Sequence, residues 1–190
     1  TMYVTLEPCH HHGNTPPCVE AVIRAQVKRV VIAMKDPDPR TAGKSIRKLK
    51  KAGIEVKVGV LKTAAEELNR FFIKQITTGK PYVIAKVAQS LDGKITATRG
   101  KQTWLTGKAA KKYVQRLRSE VDAVLVGRQT ILIDDPQLNV RDAKKPQPKR
   151  IVLDSKLRLP LTKNIFKVHG GEVILVCALP ENNARVRKYR

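Results

Sequence analysis

The sequence predicts an α/β chain of two units. Three observations carry that expectation. Short apolar runs of strand length, RVVIAM at 29–34 and DAVLVG at 122–127, each follow a stretch with apolar residues at three- and four-residue spacing. Glycine and proline fall mostly between these runs and not inside them. The resulting order of strand, helix and strand is the one that builds mainly parallel sheets covered by helices. Hydrophobic residues make up 42% of the 190 residues, which is enough for packed cores.

Taken in order, Met2, Val4 and Leu6 alternate with Tyr3, Thr5 and Glu7. The run is apolar as a whole, so a mostly buried strand is expected, ended by Pro8, which lacks a ladder donor. Val19, Val22, Ile23 and Val27 predict a helix over 19–28, and 29–34 is a strand. DPDP at 36–39 forbids a helix there. A helix over 43–52 turns Ile46 and Leu49 inward and closes at Gly53, and a strand follows over 54–60. Residues 63–78 read as one helix, with Thr63 and Glu66 as a capping box and Leu68, Phe72 and Ile76 on its buried face. Thr78-Gly79-Lys80-Pro81 is the boundary, which gives units 1–79 and 80–190. The second unit opens with a strand over 82–88 and a turn at Asp92-Gly93. A helix over 107–119, capped by Thr106, points Ala110, Val114 and Leu117 inward. Then come a strand over 122–127, a Pro-rich surface loop over 142–149, strands over 150–154 and 173–177, and a helix from 181 onward.

The chemistry concentrates near the start. Cys9 follows Pro8 at a strand end, and Cys18 follows Pro17 at a helix start. The segment between them holds three histidines, Gly13 and two prolines, so it turns sharply and the two sulfurs can converge. Thiolate is the metal-binding form of cysteine, and a helix N-terminus lowers a thiol pKa. Two thiolates so placed suit tetrahedral zinc. Zinc deaminases use this arrangement, with a nearby Glu moving protons; their usual motif is P-C-x-x-C, and here it is P-C-x8-C. The competing reading of Cys9 and Cys18 is a loop disulfide. One of His10, His11 and His12 faces a substrate, packs in the loop or ligates metal. Cys177, in VILVCAL, reads as a buried strand residue.

The net charge of +22 and pI of about 10.3 describe a basic surface. Such a surface fits nucleic acid, phosphorylated small molecules or a solvated Lys-rich face. Aromatic residues are only 4%, which leaves few stacking platforms and makes nucleic acid the weaker reading. No apolar run approaches the roughly 20 residues of a membrane span. Three cysteines without framework spacing argue against a disulfide scaffold and for a reducing, cytoplasmic setting. No GxGxxG or Walker A motif is present.

TLEPCHHHGNTPPC at 5–18 resembles the deaminase half of the bifunctional riboflavin-biosynthesis deaminase/reductase family. The resemblance continues through AMKDPDP (33–39), AGIEV (52–56), TGKPYVIAK (78–86), SLDGKI (90–95), WLT (104–106), DDPQLNVR (134–141) and RIVLDS (150–155), nearly the whole chain. It implies the C-terminal part of a cytidine-deaminase-like α/β/α domain over 1–79. The first part of a dihydrofolate-reductase-like domain follows over 80–190. The chain reads as an internal fragment. The family's H-A-E element, which supplies a zinc-binding His and the catalytic Glu, is expected upstream, and no H-x-E occurs here. No catalytic residue is therefore expected in this chain. The family's Gly-rich phosphate-binding segment near its C-terminus is absent too.

The implied activity is zinc-dependent hydrolytic deamination of a diaminohydroxy-pyrimidine ribosyl phosphate, then NADPH-dependent reduction of the ribosyl chain to ribityl. The fragment is expected to be impaired in both steps, and the parent to be a cytoplasmic homo-oligomer. By the resemblance, Cys9 and Cys18 hold Zn2+; Ala88, Trp104, Thr130, Asp134 and Ser155 contact NADPH; and Gln102, Arg118, Leu138 and Arg141 contact substrate. Gln102 stands where the family usually has Ser, and Asn14 where it mostly has Lys or Arg. Two alternatives remain: a nucleoside or nucleic-acid deaminase, and a basic nucleic-acid-binding module. The eight-residue spacing and the appended SLDGKI unit count against the first. A steep salt dependence of binding would mark the second.

Overall fold

A computed structural model describes residues 1–142 and 144–189. The chain divides into two compact units, Thr1–Ala85 and Lys86–Arg190. The division falls a few residues past the expected one at 79/80. The segment after Gly79 stays with the first unit, where Tyr82 meets Phe71 edge-to-face at 5.0 Å between ring centroids.

Unit 1 holds three parallel strands, β1 (Met2–Leu6), β2 (Arg29–Met34) and β3 (Glu55–Val58), in the order β1-β2-β3. Its helices are α1 (Cys18–Arg24), α2 (Lys44–Lys51), α3 (Lys62–Leu68) and α4 (Arg70–Thr78). The central strand β2 is the apolar run RVVIAM, and its Val30 and Ile32 are fully buried. Val19 and Val22 of α1, Leu49 of α2 and Ile54 complete that core. β1 is not the mostly buried strand its composition predicts. It pairs only with β2 among the described residues, and Tyr3 is 75% exposed. An edge strand keeps one flank in solvent whatever its hydrophobicity.

The single helix expected over 63–78 is two helices broken at Asn69. The Asn69 amide Nδ2 donates to the Ala65 carbonyl at 2.8 Å, a side-chain competitor for helix backbone. Thr63 caps nothing: Leu61, in the left-handed region at φ 56°, precedes the first helical residue, and no side-chain cap forms. Leu68, expected inside, is exposed.

Unit 2 is organised around a second parallel sheet, β4 (Ala123–Gly127), β5 (Lys149–Leu153) and β6 (Val173–Val176), in the order β4-β5-β6. Its helices are α5 (Lys108–Arg118), α6 (Arg128–Asp134), α7 (Asn164–Lys167) and α8 (Ala184–Lys188). Ile131, Leu138, Val152, Leu159 and Ile165 form the buried core. The short helices α6 and α7 carry no sequence signal of their own. The segment over 82–88 is not a strand: it has no ladder partner among the described residues, and Val83 is 81% exposed. Gly107, not Thr106, precedes α5. In the Pro-rich loop over 142–149, Ala143 lies outside the described residues, as does Arg190 at the end of the last predicted helix. Cys177 falls one residue past β6 and is half-buried.

Two buried polar groups hold unit 2 together. Arg150 on β5 is 2% exposed, and its guanidinium donates to the carbonyls of Ile165 (2.8 Å), Val168 (3.3 Å), Gly170 (2.9 Å) and Gly171 (2.6 Å). Gly171 is required there, because a Cβ would stand 2.3 Å from the Pro148 carbonyl oxygen and φ is +69°. Asp154, just past β5, accepts from the backbone N–H groups of Arg158 (2.6 Å) and Leu159 (2.8 Å).

Candidate functional site

In unit 1 the turn after β1 returns the chain so that the Cys18 backbone N–H donates to the Cys9 sulfur at 3.1 Å. The Val19 N–H donates to the Cys9 carbonyl at 3.3 Å. The first turn of α1 thus closes on the end of β1, and both sulfurs lie at that junction. Both thiols are free, so the disulfide reading is not realised. The Cys18 thiol is pushed up from its usual range, first by its hydrogen bond with Cys9, then by burial and the Cys9 charge. A cation placed between the sulfurs would relieve that repulsion. The donor set is that of half a tetrahedral thiolate site. Among the described residues no group of three or more His, Cys, Asp or Glu side chains is arranged to hold a metal.

His10 and His11 lie beside Thr41, which is fully buried, while His12 is exposed. The His10 N–H donates to the Thr41 hydroxyl at 3.2 Å, and His11 Nδ1 lies 3.3 Å from the same oxygen. Below them sits Glu7, 2% exposed at the end of β1. Its carboxylate accepts from three backbone N–H groups: Asp36 at 3.2 Å, Gly43 at 2.8 Å and Ile46 at 3.1 Å. These lie in the β2–α2 connection and the first turn of α2, so Glu7 ties that connection to the strand presenting Cys9. Burial pushes the Asp36 carboxyl up. Asp38, gripped by the Arg40 side chain and N–H, is held at about 2.

In unit 2 the structure brings Arg118, Leu138 and Arg141 together around one irregular segment. Arg118, the last residue of α5, donates to the Asn139 carbonyl at 3.2 Å. The Arg141 N–H donates to Gln115 Oε1 at 2.9 Å. Leu138 is buried, at φ 57°, and anchors the segment in the core. Burial, and then the neighbouring Arg141, push the Arg118 guanidinium down. An anion beside Arg118 would offset both the burial of its charge and the repulsion from Arg141.

Thr130 and Asp134 lie one turn apart on α6, which starts directly after β4. Ser155 follows β5, the strand paired with β4 through Gly127 and Leu153. Thr130, in the first turn of α6, and Ser155 thus sit just past the carboxyl ends of adjacent parallel strands, where open α/β sheets take ligands, while Asp134 closes the far end of α6. Trp104 is exposed, with the Lys111 ammonium of α5 3.7 Å from its ring centroid. Ala88 and Gln102 lie on irregular chain. Among the described residues no hydrogen bond, ion pair or ring contact joins Ala88, Gln102 or Trp104 to Thr130, Asp134 or Ser155.

The sequence model of the RibD C-terminal domain matches residues 81–190, which include all of unit 2. The chain belongs to the RibD family. The riboflavin biosynthesis protein RibD of Aquifex aeolicus is 47% identical over 177 residues, 93% of this chain and 50% of its own length. RibD of Bacillus amyloliquefaciens is 49% identical over 167 residues, 87% of this chain and 45% of its own. The chain spans about half the length of the curated RibD relatives it matches. Among solved structures, Acinetobacter baumannii RibD (form 1) superposes with a TM-score of 0.82 at 46% identity, over 94% of this chain and 56% of that one. The diaminohydroxyphosphoribosylaminopyrimidine deaminase/5-amino-6-(5-phosphoribosylamino)uracil reductase of Thermotoga maritima gives 0.85 at 41% identity, over 94% and 51%. The α/β architecture expected from the RibD-type motifs is the one these structures share. No helix among the described residues is long and apolar enough to cross a membrane.

Sequence reasoning missed Glu7, Thr41, Gln115 and Gln147 as organisers of these sites. Glu7 had a signal: a carboxylate closing an otherwise apolar strand requires buried partners. Gln147 had a fainter one, a polar residue between Pro146 and Pro148 just ahead of a strand. Thr41 and Gln115 had none.

Proposed function

We propose that this chain is part of a bifunctional enzyme of riboflavin biosynthesis. Unit 1 contributes to zinc-dependent hydrolytic deamination of a pyrimidine ribosyl phosphate. Unit 2 contributes to NADPH-dependent reduction of the ribosyl chain to ribityl. The observation that carries the reading is the Arg118–Arg141 pair. Arg118 at the end of α5 holds the Asn139 carbonyl, Gln115 one turn earlier holds the Arg141 N–H, and the Arg118 guanidinium is driven down by burial and then by its like-charged neighbour. A ribose phosphate placed there accepts charge-assisted hydrogen bonds from both and cancels their repulsion. Leu138, whose side chain anchors the segment in the core, and Gln102 are assigned to the same substrate by their motifs.

Thr130 and Ser155 border the nicotinamide cofactor just past the strand ends, and Asp134, Ala88 and Trp104 are assigned to it by their motifs. NADPH, when bound, supplies the hydride. The chain's own part is to hold the sugar phosphate at the arginines and leave the reacting carbon facing the cofactor. In unit 1, Cys9 and Cys18 would hold zinc together with ligands from outside these 190 residues. Zinc, when bound, supplies an activated water. The Cys18 N–H fixes the Cys9 sulfur, and Glu7 fixes the strand end that carries it. A homo-oligomeric, cytoplasmic parent belongs to the same reading.

The test is Arg141→Ala in the complete enzyme that carries this sequence. Losing one charge-assisted phosphate contact costs about 2–3 kcal/mol, roughly 30- to 150-fold in kcat/KM for the phosphoribosyl substrate. KM for NADPH should barely change. A variant that weakens NADPH more than substrate reverses the assignment, and one that changes neither removes Arg141 from the site.

A further inference from the structure

The segment 139–141 has no regular secondary structure, yet each of its three residues has a backbone group held by a side chain. Arg118 takes the Asn139 carbonyl, and Gln115 takes the Arg141 N–H. Between them, Gln147 takes both backbone groups of Val140. Its Oε1 accepts the Val140 N–H at 2.9 Å, and its Nε2 donates to the Val140 carbonyl at 3.2 Å. One amide side chain thus replaces the two ladder bonds that a neighbouring strand would make. Val140 itself is 3% exposed. The stem of Gln147 is backed by Gly170, where a Cβ would come 2.9 Å from Gln147 Cγ at φ +85°. The Gly170 carbonyl is in turn held by the buried Arg150. Gln147 is therefore braced from the sheet side and pressed onto the segment that ends at Arg141.

We propose that Gln147 and Gln115 are positioning residues that set Arg141 beside Arg118, so that the guanidinium pair is preformed for the substrate phosphate. The proposal rests on the reading above that the pair binds that phosphate. Gln115 lies one turn ahead of Arg118 on α5. A single helix therefore carries one arginine of the pair and the group that fixes the backbone of the other. Gln147 fixes the residue just before Arg141. A guanidinium on an unheld segment would still reach a phosphate, but it would lose rotational and backbone freedom on binding, and affinity falls by that amount.

The test uses the complete enzyme carrying this sequence, with Gln147→Ala, Gln115→Met, Arg141→Ala and the two double variants with Arg141→Ala. Each glutamine variant should raise KM for the phosphoribosyl substrate about 5- to 10-fold, as expected for one or two lost hydrogen bonds. KM for NADPH should stay within about twofold. Gln147→Glu keeps the acceptor for the Val140 N–H and should recover part of the loss. Inhibition by inorganic phosphate, competitive with substrate, should weaken in parallel. The deciding readout is coupling. If the glutamines act through Arg141, adding Gln147→Ala or Gln115→Met to Arg141→Ala should raise KM little further. Additive losses would overturn the proposal, as would a fall in thermal stability with an equal rise in both KM values, which marks a purely structural role. An effect of Arg141→Ala with none from either glutamine sinks the positioning role alone. No effect of Arg141→Ala sinks the phosphate reading itself.

Discussion

Removing the Glu7 carboxylate tests how unit 1 holds the end of β1. In Glu7→Ala three backbone N–H groups lose their acceptor, at Asp36, Gly43 and Ile46. Asp36 and Gly43 are buried and Ile46 is half-buried. Each unsatisfied buried donor costs about 1–3 kcal/mol, and the smaller side chain admits water to some of them, so the expected loss is about 3–5 kcal/mol. A unit of this size is stable by about 5–10 kcal/mol, so that loss is from about a third to the whole of it. Glu7→Gln is the finer probe. One amide oxygen can replace Oε2, which serves Asp36 and Gly43, but the NH2 then faces the Ile46 N–H donor to donor. About 2 kcal/mol is expected for that mismatch. Urea unfolding followed by peptide-resolved hydrogen exchange reads the two units separately. Peptides from β1, β2 and α2 should lose protection in Glu7→Ala, while those from β4 and β5 keep it. A Glu7→Ala unit that unfolds within about 1 kcal/mol of the parent would refute the argument, because three buried donors would then have found other partners.

Further outcomes follow from the same structure. Arg150→Lys should cost unit 2 about 2–4 kcal/mol in urea unfolding, since an ammonium cannot reach the four carbonyls the guanidinium spans; a loss under about 1 kcal/mol would show those carbonyls to be solvated. The Asp38 carboxyl, held at about 2 by Arg40, contributes stability above the unfolded carboxylate range that is lost as pH falls towards that value. Arg40→Ala should raise its midpoint towards about 4, so that acid loss begins at higher pH, and carbonyl-carbon NMR titration checks it. In the complete enzyme, Cys18→Ser should lose bound zinc, and a full zinc complement in that variant would remove Cys18 from the metal site. For the chain alone, cobalt titration should give only weak thiolate absorption, because it brings two thiolates and, among the described residues, no assembled third ligand.

What was legible in the sequence is what local pattern dictates. RVVIAM declares a central strand because it is apolar at every position but one, and β2 is flanked on both sides. Cys9 and Cys18 could be paired because each follows a proline and the turn between them is short. β1 was misjudged because hydrophobicity does not tell whether a strand has one neighbour or two. The run over 82–88 has strand composition, but composition supplies no partner. Asn69 broke a helix that periodicity had carried through, since its side chain is a competitor only where the Ala65 carbonyl is within reach. The organisers of the arginine pair were scarcely more legible: Gln115 carried no signal, and Gln147 only its place between two prolines. A Gln that clasps a backbone seven residues away leaves no periodic trace.

The buried guanidinium of Arg150 has a consequence for how this family can vary in length. Connections on a protein surface ordinarily tolerate insertions and deletions, because nothing measures them. The connection from Ile165 to Gly171 is measured. One rigid, planar group touches its first, fourth, sixth and seventh residues at once. A residue added or removed there would take at least one carbonyl out of reach and leave a buried cation under-solvated. Length at 165–171 and identity at position 150 are thus one joint character, and a loop graft that changes the first must also replace the second.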